Sequence, residues 1–185
     1  MKTDMNKNRG TEKTKMKLAV LICSMAIMLM GNPSFCLGWT GTVKEISEGD
    51  LLVISANGKD QPIRLYGIAT PERGQSFFEN ARVLVTHLAN QRTVDVTSVF
   101  TDSDRIVNAI VRLQGVRESL NEQLVSYGMA WVRSDICHAR FCSEWKKLEE
   151  MAKGNVLGVW AEMNPIPPWE YKKQQRMKIQ KREGA

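Results

Sequence analysis

Histidine is scarce in this chain: His87 and His138 are the only two among 185 residues. Zinc sites draw on three or four His and Cys ligands, so a zinc enzyme has little to build on. The same scarcity argues against a Cys/His hydrolase, because His87 falls in a stretch with helical spacing and reads as a surface or half-buried residue. Lacking too is an apolar run long enough to cross a bilayer as a helix. The run LAVLICSMAIMLM, residues 18–30, is well short of the ~20 residues that a span needs. The body of the chain also lacks positive charge, although the net charge is +6. Residues 1–38 hold six Lys/Arg against two Asp/Glu, and residues 171–185 hold six against one. That leaves residues 39–170 with fourteen against seventeen. Nucleic-acid binders ordinarily carry a basic face on the domain itself, and the composition provides no such support here.

What is present begins with a leader. Lys2, Lys7, Arg9, Lys13, Lys15 and Lys17 precede the short apolar run, and small or polar residues follow it (GNPSFCLG). This order reads as a secretory signal, with cleavage expected just before Trp39, or as an uncleaved N-terminal membrane anchor. Cys36 invites a lipoprotein reading, but Phe35 sits where a small residue is wanted. The organisation expected is therefore a signal peptide or anchor over 1–38, a domain over 39–170 and a basic tail over 171–185. Export, to the periplasm or medium, changes the meaning of the cysteines. Cys23 and Cys36 lie in or beside the leader. Cys137 and Cys142, spaced CHARFC, are most simply a disulfide closing a surface loop.

The mature part opens with β-type runs. TVKEI and LLVIS flank the turn Ser47–Asp50, Asn57-Gly58 marks a tight hairpin, and PIRLYGI follows as a third strand. Thr70-Pro71 breaks the sheet pattern. Residues 76–90 have helical spacing with a buried face. TVDVTSVF and IVNAIVRL read as fourth and fifth strands. Ser119 is placed to cap a helix that stops at Gly128, and a last helix ends near Gly154. NPIPPWE reads as extended and as the end of the domain, with a solvated, mobile tail beyond it. Three strands, a helix, two strands and two helices suit an α+β fold. The form expected is a five-stranded, Greek-key barrel of the oligonucleotide-binding type with about three packed helices.

A phosphodiesterase without histidines would use a hard cation held by oxygens, a carboxylate to position or deprotonate water, and a guanidinium to grip phosphoryl oxygens. Asp50 follows a glycine turn, Arg64 lies in the third strand, and Glu72 comes just past that strand's end. All three are placed to converge at one rim of a barrel. Without more, each has a plainer reading: a turn residue, a solvent-facing strand charge and a first-turn acid of a helix. Trp131, Trp145, Trp160, Trp169 and Tyr66 read as packing residues.

At these residues the sequence resembles the thermonuclease family, that of staphylococcal nuclease. The resemblance covers roughly Gly41 to Trp169. It is carried by EGD (48–50), IRLYGIATPERGQSF (63–77), SDR (103–105), LNEQLVSYGMAWV (120–132), LGVW (157–160) and PIPPWE (165–170). It implies a staphylococcal nuclease-like barrel and calcium-dependent endonucleolytic hydrolysis of DNA and RNA. By position, Asp50 matches a calcium-binding aspartate, and Thr70 the residue whose backbone carbonyl binds the metal. Arg64 matches a catalytic arginine, and Glu72 the general base or water-orienting carboxylate. Two positions depart from the pattern. Ala69 stands where the family has a second metal-binding aspartate, and Asn108 where it has a second phosphate-clamping arginine. Neither Arg105 nor Arg112 is placed to substitute. These departures imply weakened calcium binding and lowered activity. They leave open a catalytically inactive module that binds an oligonucleotide or a protein in the envelope. Glu48, two residues before Asp50, is a candidate to reach the cation instead. The chain is expected to be monomeric, and its basic tail is a candidate for contact with nucleic acid or an anionic membrane.

Overall fold

The computed structural model describes residues 38–184. Among them, in chain order, run β1 (Gly38–Glu48), β2 (Leu51–Ala56), β3 (Lys59–Leu65), β4 (Ile68–Ala69), α1 (Phe78–Ala89), β5 (Thr93–Thr101) and β6 (Val107–Leu113). Then follow α2 (Leu120–Ser126), β7 (Trp131–Val132), α3 (Arg140–Gly154), a 3-10 turn (Gly158–Ala161) and α4 (Pro168–Glu183). The leader expected over 1–38, with Cys23 and Cys36, lies outside the described residues except for Gly38.

Five strands close into a barrel in the order β1-β2-β3-β6-β5. The fold is α+β, as expected, but carries four described α-helices where the sequence suggested about three. Alternation builds the barrel's interior. Val43, Leu52, Ile54, Ile63, Leu65, Val94, Val96, Ala109 and Val111 are all buried. Each fully buried aliphatic side chain contributes roughly 1.5–3 kcal/mol. The β2–β3 hairpin turns at Asn57-Gly58, both with positive φ (51° and 74°), which suits the right-handed twist of the flanking strands. Two register shifts in the β1–β2 pairing bend β1 around the barrel.

Closure depends on one parallel pairing. Ile63, Arg64 and Leu65 of β3 lie beside Val107, Asn108 and Ala109 of β6. Asn121, fully buried on α2, locks this seam. Its Nδ2 donates to the carbonyls of Tyr66 (2.9 Å) and Ala109 (3.3 Å), and its Oδ1 accepts from the amide of Val111 (3.1 Å). α2 begins as the sequence expects, in a capping box. The Ser119 hydroxyl accepts from the amide of Glu122 (3.2 Å), and Glu122 Oε2 accepts from the amide of Ser119 (2.9 Å). α1 buries Phe78, Ala81, Val85 and Ala89 in one stripe.

Two features depart from the sequence reading. β4 and β7 form a two-stranded sheet outside the barrel, pairing Ile68 with Val132 and Ala69 with Trp131. Two residues a side are too few for a periodicity signal. The C-terminal segment, expected to be extended and then mobile, is helical from Pro168. Proline is tolerated in the first helical turn, where its missing amide has no partner to lose. The Lys, Gln and Arg that follow are good helix formers.

Candidate active site

The turn between β1 and β2 brings Asp50 inward. A Cβ on Gly49 would stand 2.9 Å from Ala81 Cβ and from Thr70 Cγ2 and Oγ1. Only a glycine therefore lets the turn press against α1 and the Thr70 segment. The carbonyl of Asp50 accepts from the amide of Leu65 (2.9 Å), which ties the turn to the end of β3. On β3, Arg64 is flanked by Leu51 of β2 and Asn108 of β6. Beyond it the chain reverses at Gly67 (φ 76°), where a Cβ would meet Cys137 Sγ at 2.6 Å. β4 then carries Ala69 past the same spot, and Glu72 follows, its amide donating to Gln75 Oε1 (2.8 Å).

Asp50, Arg64 and Glu72 all line one cavity of about 140 Å³, together with Ala69 and Asn108. Thr70 does not line it. It lies buried behind Asp50, and its amide donates to Asp50 Oδ2 over a long 3.4 Å. Glu48 does not line it either, although its charge is close enough to act on Asp50. Arg105 and Arg112 are elsewhere: Arg105 is exposed, and Arg112 Nε donates to the carbonyl of Arg117 (2.9 Å). His87 is exposed on α1. Cys137 and Cys142 are joined in a disulfide (S–S 2.03 Å, Cα–Cα 5.7 Å), which sits against Gly67 and leads into α3. The Tyr66 hydroxyl donates to the carbonyl of Ile136 (2.6 Å), so the bridged loop is held to the end of β3.

The electrostatics centre on Asp50, which is 6 % exposed. Burial pushes its carboxyl up to about 6 from 3.8. The Arg64 charge partly offsets burial, the Glu48 charge raises the value further, the Thr70 amide lowers it, and the Glu72 charge raises it. The Thr70 hydroxyl is also buried, with no hydrogen-bond partner among the described residues. A buried carboxylate with one long hydrogen bond and an orphaned hydroxyl beside it are both oxygen donors short of a partner. That chemistry fits a hard cation, with Asp50 as the residue that presents an oxygen to the cavity. Among the described residues, no group of three or more His, Cys, Asp or Glu gathers into a metal cluster. A cation here would rely on water for the rest of its shell.

Among the cavity-lining residues not singled out from the sequence as part of the site, Arg133, Trp169 and Lys172 carry charge or an aromatic face. Arg133, just past β7, sets its guanidinium 5.4 Å from the centroid of the Trp169 ring and holds Asp135 with two hydrogen bonds (2.8 and 2.6 Å). Trp169 is therefore a wall of the site, 37 % exposed, and not a core residue. Lys172, on α4, reaches Glu72: its Nζ lies 2.7 Å from Glu72 Oε1. The available signal was the sequence PPW followed by lysines, a proline-started helix, but nothing local says where such a helix packs.

Comparison with known proteins agrees with this architecture. Residues 62–162 match the family model described as staphylococcal nuclease homologue. A Haemophilus influenzae protein named an uncharacterized endonuclease is 28 % identical over 141 residues, covering 76 % of each chain. A micrococcal nuclease of Shigella flexneri is 26 % identical over 168 residues, 86 % of this chain and 95 % of its own. Protein ParB of Escherichia coli is 26 % identical over 159 residues, 82 % of this chain and 88 % of its own. The match runs from within β3 through the 3-10 turn, across the parallel seam and the segment from Arg64 to Glu72, with Asp50 and α4 outside it. The chain belongs to the staphylococcal nuclease homologue family, and its function is nuclease-like.

Proposed function

We propose that this chain is an exported, calcium-dependent endonuclease that hydrolyses phosphodiester bonds of DNA and RNA, at a rate lowered by Ala69 and Asn108. The observation that supports it is the convergence of Asp50, Arg64 and Glu72, from three separate stretches, on one cavity. Arg64 grips the non-bridging oxygens of the scissile phosphate and neutralises charge that builds as the bond order changes. Glu72 positions a water and accepts its proton as the water oxygen bonds to phosphorus. The bond from phosphorus to the leaving sugar oxygen then breaks, and that oxygen takes a proton from solvent. Asp50, with the backbone carbonyl of Thr70, would hold calcium, which would supply Lewis-acid stabilisation of the phosphoryl charge. Asn108 contributes at most a neutral donor, since its Nδ2 is engaged only over 3.5 Å with the carbonyl of Ile106.

A second reading is a barrel that binds an oligonucleotide or a protein partner without cleaving. The buried, uncharged Ala69 and Asn108 favour it. One experiment separates the two. The purified protein is incubated with single-stranded DNA and with RNA, in calcium and in chelator. Chelator-sensitive cleavage that disappears in Glu72→Gln supports the enzyme. Intact substrate under all conditions supports the binding module.

A further inference from the structure

α4 has a peculiar attachment. Its first turn is pinned to the cavity, while from Arg176 to Arg182 its residues are all exposed. Pro168 is buried at the site, Trp169 stacks beneath Arg133, and Gln75 Nε2 donates to the carbonyl of Ile166 (2.9 Å) just before the helix. The Tyr171 hydroxyl lies so close to Gly74 that a Cβ there would approach it to 2.8 Å. A helix without a buried face of its own is thus held at the end that carries Lys172.

The charges inside the cavity explain what that end supplies. An entering phosphodiester meets the carboxylates of Asp50 and Glu72 against the guanidinium of Arg64, whose neighbour on β6 is neutral. Two more cations line the space. Arg133 is already committed to Asp135 through both hydrogen bonds. Lys172 is committed only to Glu72, and its side chain is 48 % exposed, so its flexible stem can change partner. An ammonium is a compact charge with three rotatable donors, suited to a phosphate oxygen that arrives from solvent.

We propose that Lys172 is a second phosphate-gripping residue of this site, delivered by α4, which passes from Glu72 to a non-bridging oxygen of the scissile phosphate when substrate enters. The exchange does two things at once. It adds a cation to a cavity where β6 offers only the neutral Asn108, and it leaves Glu72 unoccupied to take the proton of the attacking water. The proposal rests on the nuclease reading above.

The test compares the full-length protein with Lys172→Met, Lys172→Arg and a control at an exposed lysine of α3 away from the cavity, Lys147→Ala. Lys172→Met keeps an apolar stem and removes only the charge. The readout is cleavage of a fluorescent single-stranded DNA in calcium. The expected result is a kcat lowered about 10- to 100-fold in Lys172→Met, with a smaller change in KM, most activity retained in Lys172→Arg, and a rate within about twofold of the parent in Lys147→Ala. An unchanged kcat in Lys172→Met overturns the proposal. A raised kcat overturns it too and makes α4 an obstruction. If the parent cleaves nothing, the nuclease reading fails, and a tryptophan-fluorescence titration with the same DNA decides about Lys172 alone. Binding weakened about tenfold in Lys172→Met then supports the phosphate grip, and equal affinity overturns it.

Discussion

Arg64 and Asn108 are direct neighbours across the parallel seam of β3 and β6, so one rung of the barrel presents a guanidinium and a neutral amide side by side to the same cavity. Restoring charge at that rung and on β4 is expected to raise activity. Asn108→Arg places a second fork beside Arg64, and Ala69→Asp adds a carboxylate near Asp50. The double variant is expected to cleave single-stranded DNA at least about tenfold faster than the parent, the reverse of the loss seen when one transition-state donor is removed. Isothermal calorimetry is expected to show tighter calcium binding from Ala69→Asp alone. Equal rates and equal affinities would mean that Ala69 and Asn108 are not what limits this site.

Asp50 makes the calcium-free protein less stable as pH rises. Its carboxyl is pushed up to about 6 in the fold, from an ordinary value of 3.8. Between these values the folded chain binds more protons than the unfolded chain, so stability falls as pH climbs through that window and is level above it. The full penalty is at most about 3 kcal/mol. Asp50→Asn removes it. In chelator at pH 7.5 this variant is expected to melt higher than the parent, and at pH 4 the two are expected to converge. Calcium affinity has the opposite dependence, dropping as pH falls below about 6 because the cation must displace the proton.

Asn121 holds the seam from behind, and its loss is expected to be costly. Asn121→Ala takes away the side-chain partner of the buried Val111 amide and of the Tyr66 carbonyl, while the Ala109 carbonyl keeps the Tyr66 amide (2.8 Å). Each unsatisfied group costs about 1–3 kcal/mol. A loss of about 3 kcal/mol or more in urea unfolding is expected, along with a lower cleavage rate, because Arg64 and Asn108 sit on the two strands that the side chain joins.

The disulfide acts locally. It closes a short loop, with a sequence separation of 5, so the loop-closure entropy it removes from the unfolded chain amounts to about 2 kcal/mol. Cys137→Ser with Cys142→Ser is expected to lower stability by that amount. Its effect on activity is expected to exceed what the stability loss explains, because Cys137 Sγ backs Gly67, the turn between Arg64 and Ala69. Cleavage assayed well below the variant's melting temperature measures that difference.

Local chemistry made much of this protein legible. Alternation placed the five barrel strands, Asn57-Gly58 the hairpin, and Ser119 with Glu122 the start of α2, because each signal lies within a few residues of the structure that it produces. The motif around Arg64 and Glu72 also pointed to the right rim of the barrel, since a strand end and its following turn travel together. β4 and β7 escaped notice because two-residue strands have no period to detect.

From residue types and spacing came the barrel, the cysteine pair, and the nomination of Asp50, Arg64 and Glu72; the family resemblance added Thr70. Only the tertiary structure decided which of these share a cavity. It left Thr70 behind Asp50 and brought Arg133, Trp169 and Lys172 into the wall. The physical reason is distance along the chain. Lys172 lies 100 positions after the carboxylate that it pairs with, and no local pattern of charge or hydrophobicity encodes where a polar, proline-started helix comes to rest. That is decided by the stacking of Trp169 against Arg133 and the fit of Tyr171 over Gly74, contacts that exist only once the barrel has closed.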